Sequence, residues 1–249
     1  QAALRKKLPM ALIHECMGEV VYDATGTFKP GDKVIPIPNT PIEKSDIVAE
    51  NYLTTSYFKS SGHDGFLQDY IFTEPARLVR LPDGVPWDVA AFTELVSVAA
   101  HAITRFERIS HVRKEALGVW GDGNLGFITA LLLRYIFPRA RLIVYGTVEE
   151  KLAYFTFADK TVHVDDEGAF ERVDHAFECV CGDYAAAAIN QIIDLIEPEG
   201  TVSLMGVSEN PVDINTRMVL ERGLRLFGSS RSGAEDFERT VALYVAHPD

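Results

Sequence analysis

The chain has 249 residues, a hydrophobic fraction of 47% and a formal net charge of −12. That length supplies one large or two ordinary domains, and the acidic balance gives no broad electrostatic support to nucleic-acid binding. Charges interrupt every long apolar run, so no transmembrane helix is expected, and no signal peptide is visible at Gln1.

Three cysteines, Cys16, Cys179 and Cys181, make no disulfide framework and fit a reducing, cytoplasmic setting. Cys179 and Cys181 form a C-x-C pair whose thiols would share one side of a strand. Two thiols alone are a poor metal site, so they are read as structural.

Residues 1–92 are punctuated by turns such as KPGD (29–32) and LPDG (81–84), between the short β runs GEVVYDA (18–24), DKVIPIP (32–38) and LQDYIFT (67–73). The pattern predicts an all-β module. Residues 39–66 carry few apolar runs and are expected to form a long loop with a short helix over 46–54. At Thr93 the pattern changes. TELVSVAAHAITRF places Leu95, Val98, Ala99, Ala102 and Phe106 on one helical face, with Thr93 as N-cap.

From there apolar strands alternate with helices. Strands are predicted at 116–120, 141–145, 160–165, 173–180, 200–207 and 224–230, with helices at 125–137, 148–155, 185–196 and 216–223. Continuous apolar strands alternating with helices indicate an α/β fold, a doubly wound parallel sheet of the Rossmann type. Residues 231–249 read as a helix leading out of it.

GDGNLG (121–126) closes the first of these strands and opens a long helix, the context a G-x-G-x-x-G motif needs in order to cradle a pyrophosphate. Gly121 allows the tight turn, Gly123 the close approach of phosphate, and Gly126 the packing of helix on strand. Asn124 and Leu125 complete the anion-binding helix terminus. A ribose-binding acid is expected roughly 20 residues further on. Gly146 and Thr147 stand there instead. Such a tip suits the 2′-phosphate of NADPH, with a Thr147 hydroxyl and N–H and with Lys151 one turn on as a compact positive charge. The other reading is a small turn glycine beside a surface lysine.

IHECMGEVV (13–21), FKPGDKV (28–34), DGFLQDY (64–70), LPDGV (81–85), WGDGNLG (120–126) and EGTVSLMGV (199–207) together resemble the zinc-type, polyol dehydrogenase-like medium-chain dehydrogenase/reductase family. Within it, SSGHDGFLQDY, FTELVSVAAHAI, VWGDGNLGFITA, DHAFECVCG and GSSRSGAEDF resemble the ribulose-5-phosphate reductases of ribitol teichoic acid synthesis. The resemblance covers essentially the whole chain. It implies a partial GroES-like catalytic domain over 1–92, a Rossmann NADP-binding domain over 93–230, and the start of a return segment over 231–249.

It also implies NADPH and zinc as cofactors. His14 and Glu94 are then metal ligands, with Glu15 as a ligand or as a partner that supports one. The reaction implied is reduction of the ketose phosphate D-ribulose 5-phosphate to D-ribitol 5-phosphate, in a cytoplasmic homodimer whose product passes to a cytidylyltransferase. The upstream cysteine ligand and the closing segment of the family are not in this sequence, which reads as an internal portion of a longer protein. The alternatives are a related polyol or sugar-phosphate dehydrogenase, or a nucleotide-binding fragment without catalysis. Lys59, Ser60, Ser61 and His63 are either phosphate donors or a solvated loop.

Overall fold

Turn residues cut the first part of the chain into very short strands: β1 (Gly18–Glu19), β2 (Lys33–Pro36), β3 (Asn39–Thr40), β4 (Tyr57–Phe58) and β5 (Leu78–Arg80). The structure is a computed structural model and describes residues 8–247. Strands β1, β2 and β5 form an antiparallel sheet in that order, and β3 pairs with β4.

Two β predictions shrink here. The 18–24 run yields only two strand residues, because the chain then turns around Asp23, whose carboxylate accepts the Thr25 and Phe28 N–H groups at 2.8 and 2.9 Å. LQDYIFT is not a strand. No ladder forms along it among the described residues, and Tyr70 and Phe72 are exposed. Alternation gives a run the propensity for a strand, but only a neighbouring edge makes it one. The expected helix over 46–54 reduces to the 3₁₀ turn Glu50–Tyr52.

A short helix α1 (Trp87–Ala91) follows Pro86, and α2 (Thr93–Ile109) follows directly. Thr93 is therefore not an N-cap. It is fully buried and its hydroxyl donates to the Ala90 carbonyl at 2.7 Å. The amphipathic pattern marked the helix but not the turn preceding it.

The apolar runs after α2 form β6 (Ala116–Trp120), β7 (Arg141–Gly146), β8 (Lys160–His163), β9 (Val173–Glu178), β10 (Ile196–Leu204) and β11 (Arg225–Gly228). Between them lie α3 (Asn124–Ile136), α4 (Glu149–Leu152), α5 (Ala185–Leu195) and α6 (Thr216–Glu221), and α7 (Ala234–Ala246) follows. The six strands make one parallel sheet in the order β11-β10-β9-β6-β7-β8. This is the doubly wound Rossmann order, with its reversal between β6 and β9. Since β9 ends at Glu178, Cys179 and Cys181 lie beyond it. Cys179 is buried and Cys181 exposed, so they do not share a strand face.

The chain divides into two units, one of residues up to Val98 together with those from Arg231, the other Ala99–Ser230. The division falls inside α2. In the first unit, Phe237 and Val241 of α7 pack with Ile35, Ile37, Leu81 and Ala90. The Ala234 N–H donates to Glu50 at 2.9 Å, and Glu50 pairs with Arg77 at 2.8 Å. In the second unit, the Trp120 and Tyr145 rings stack at 4.1 Å and are fully buried. Trp120 fits because Gly118 has no side chain: a Cβ there would lie 2.3 Å from the indole.

His175 on β9 yields a pH prediction. It is fully buried; its Nδ1 accepts the Thr201 N–H at 3.1 Å, so Nε2 must donate to the Arg113 carbonyl at 2.9 Å. Burial, aided by the His111 and Lys114 charges, lowers its pKa to about 4. The unfolded chain then binds the extra proton between the ordinary histidine pKa of about 6.5 and that value. The stabilisation is full above about pH 6.5 and is lost as pH falls toward 4, amounting to about 2–3 kcal/mol. Urea unfolding at pH 7.5 and pH 4.5 should show a larger stability loss for the parent than for His175→Gln. Parallel losses would contradict it.

Candidate functional site

The glycine motif is built by close approaches that only glycine allows. Gly121 has φ +127°, and its N–H donates to the Tyr145 carbonyl at 2.8 Å. A Cβ at Gly126 would lie 2.0 Å from the Gly121 carbonyl oxygen, so the first turn of α3 rests directly on the loop. Gly123, the N-cap of α3, is different: a Cβ there meets nothing within 4 Å. The open side of the loop is thus the side a pyrophosphate would approach, facing the first N–H groups of α3 at Asn124 and Leu125.

Beside it opens a cavity of about 640 Å³ at the carboxyl ends of β6, β7 and β9. Its lining includes Trp120, Asp122, Tyr145, Thr147, Cys181 and Gln191. The Gln191 amide oxygen accepts the Trp120 indole N–H at 2.7 Å, which fixes one wall. An apolar recess with a few fixed polar groups, next to an anion cradle, suits a nucleotide.

At the tip of β7 the structure adds a residue that sequence reasoning missed. The Asp122 Oδ2 accepts the Thr147 and Val148 N–H groups at 2.7 and 2.8 Å. Gly146 is buried against it: a Cβ at 146 would lie 2.8 Å from the Asp122 Cβ, from its Oδ2 and from Leu152 Cδ2. The Thr147 N–H expected to serve a ligand is therefore already donated. The Thr147 side chain is exposed, and Lys151 is exposed on α4. The acid at the second position of GDG was the available signal, but its partner lies 25 positions along the chain.

His14 follows Ile13, which has φ +66°. The turn 11–13 is stapled to 65–67 by Gly65 N–H to Ala11, Phe66 N–H to Ile13 and Leu67 N–H to Leu12, at 2.7 to 3.0 Å. Gly65 is needed there, since a Cβ would lie 2.2 Å from the Ile13 carbonyl oxygen. Residues 11–17 are not a strand, so strand alternation does not send His14 and Glu15 to opposite faces. His14 Nε2 lies 3.8 Å from Glu15 and 3.9 Å from Glu94, in the first turn of α2. All three offer donor atoms within 4.8 Å of one another.

Glu94 is buried, and burial followed by the Glu15 charge pushes its pKa up to about 8. A buried carboxylate beside a second one is costly unless a cation joins them. One imidazole nitrogen and two carboxylates form a donor set that suits zinc. The residues fit the metal that the resemblance implies.

Residues 1–83 match the alcohol dehydrogenase GroES-like domain and residues 147–246 match the zinc-binding dehydrogenase domain. The chain is 54% identical over 247 residues to a ribulose-5-phosphate reductase of Bacillus spizizenii, covering 99% of this chain and 72% of that protein. It belongs to the zinc-type medium-chain dehydrogenase/reductase family. Identity to ribulose-5-phosphate reductase 1 of Staphylococcus aureus is 53% over 246 residues, covering 99% of this chain and 72% of the relative. The crystal structure of S. aureus TarJ in complex with NADPH superposes with a TM-score of 0.86 at 46% identity, covering 100% of this chain and 72% of that one. Family membership makes this chain an oxidoreductase of the alcohol dehydrogenase type. No helix among the described residues is long and apolar enough to cross a membrane.

Proposed function

We propose that the chain reduces D-ribulose 5-phosphate to D-ribitol 5-phosphate, with NADPH as hydride donor and zinc as the resident metal. The observation that carries this reading is the identity of over half the residues, along nearly the whole chain, with ribulose-5-phosphate reductases. The TarJ complex with NADPH supports the choice of dinucleotide.

When bound, zinc supplies Lewis acidity to the ketose carbonyl and NADPH supplies the hydride, which makes C2 a carbinol once its oxygen takes a proton. The chain's own residues supply position. His14 and Glu94 would hold the metal, with Glu15 as a further ligand or as support. Gly121, Gly123, Asn124, Leu125 and Gly126 would receive the pyrophosphate, and Gly146, Thr147 and Lys151 would border the adenosine ribose. In this reading residues 1–92 form part of the catalytic domain, 93–230 the NADP-binding domain and 231–249 the start of the return to the catalytic domain. A cytoplasmic homodimer joined through the edge strand β11 and a cytidylyltransferase that consumes the product complete the proposal.

The test is a substrate pair. In the zinc-loaded intact protein, kcat/KM for D-ribulose 5-phosphate should exceed that for D-ribulose by at least about 100-fold, the order expected when charged donors lose their anion. Equal values would point to a polyol dehydrogenase acting on neutral sugars.

A further inference from the structure

The carboxylate missing from the tip of β7 has not left the site; it arrives from the glycine loop. The Asp122 side chain fills the volume that a side chain at Gly146 would occupy, as the 2.8 Å approaches to Cβ and Oδ2 show. Its Oδ2 is committed to the Thr147 and Val148 N–H groups, and the residue lines the nucleotide cavity. The placement of Asp122 depends on the glycine at 146, since a Cβ there would collide with its Cβ and Oδ2.

We infer that Asp122 is a specificity-determining residue for the dinucleotide, whose negative charge at the strand tip restrains the preference for a 2′-phosphate. The inference rests on the dinucleotide reading above. A carboxylate at the tip of the second strand favours the ribose hydroxyls of NADH and opposes the nearly two negative charges of a 2′-phosphate. Here a carboxylate oxygen sits 2.8 Å from where the Cβ of a residue at the tip would lie, although that residue is glycine. Two N–H donors disperse that charge without cancelling it. The chain should therefore bind NADPH less selectively than a glycine tip beside a lysine would allow, and should retain measurable affinity for NADH.

Asp122→Asn separates charge from position. The amide keeps an oxygen that can accept from Thr147 and Val148 while the charge is gone. Titration calorimetry of the zinc-loaded intact protein with NADPH and NADH should show the ratio of their affinities moving toward NADPH by about tenfold, the order expected for removing one half-buried charge near a phosphate. The fragment pair adenosine 2′,5′-bisphosphate and adenosine 5′-monophosphate should shift in the same direction. If Asp122→Asn does not fold, as judged by its thermal transition, Asp122→Ser removes the charge with a smaller acceptor and carries the same measurements. An unchanged ratio, or a shift toward NADH, with both dinucleotides still bound would overturn the inference while leaving the dinucleotide reading intact. A parent protein that binds neither dinucleotide would overturn both.

Discussion

Replacing Gly126 with alanine is expected to abolish measurable NADPH binding, a loss of at least about 100-fold, with a destabilisation of about 1–3 kcal/mol from overpacking. The added methyl would lie 2.0 Å from the Gly121 carbonyl oxygen, and the atom it meets is backbone, so no side-chain rotation relieves the clash. Gly121 cannot retreat freely, because its N–H is held by Tyr145 and its own Cβ position faces the Cys179 carbonyl at 2.9 Å. The loop must open, and with it the cradle. Gly123→Ala is the companion variant. Its methyl meets no protein atom within 4 Å, so it should melt close to the parent temperature yet bind NADPH more weakly by obstructing the pyrophosphate. Calorimetric titration and thermal melts of the two variants check this. Parental affinity in Gly126→Ala would show that the dinucleotide does not use this loop.

The second large effect concerns the metal. His14→Ala in the intact protein should lose zinc and lower ketose phosphate turnover by about 10²–10⁴-fold, the several kcal/mol that Lewis-acid polarisation contributes. NADPH affinity should stay near the parental value, since the glycine loop belongs to the other structural unit. Glu94→Gln removes the charge with little change of shape and should also release metal, because the buried carboxylate is the donor set aside from solvent. Elemental analysis, turnover and dinucleotide titration on the same preparations decide the matter. Full zinc content with near-parental turnover in His14→Ala would remove this residue from the metal site.

What the sequence disclosed follows from the range of the forces involved. The central parallel strands were legible because they carry apolar runs buried on both faces: β6 coincides with the run ALGVW and β7 with RLIVY, whereas the edge strands β8 and β11 are only partly buried. The glycine loop was legible because its constraints act over six consecutive residues. The first unit was less so: LQDYIFT alternates like a strand but finds no ladder among the described residues, and Thr93 looks like a cap until α1 is seen to precede it. At the metal cluster, the adjacency of His14 and Glu15 does not tell whether both side chains reach one ion. Only the left-handed Ile13 and the staple to Gly65 show why the chain bends instead of extending. Asp122 was overlooked for a similar reason. Inside a glycine motif it reads as a spacer, and its hydrogen bonds to Thr147 and Val148 cross from one βα turn to the next.

The most direct test of the proposed reaction is product stoichiometry in the zinc-loaded intact protein. D-ribulose 5-phosphate and NADPH should be consumed in equal amounts, with D-ribitol 5-phosphate formed in the same amount as judged by mass spectrometry against a standard. Consumption of neither reactant, or oxidation of NADPH without formation of D-ribitol 5-phosphate, would contradict the proposed function.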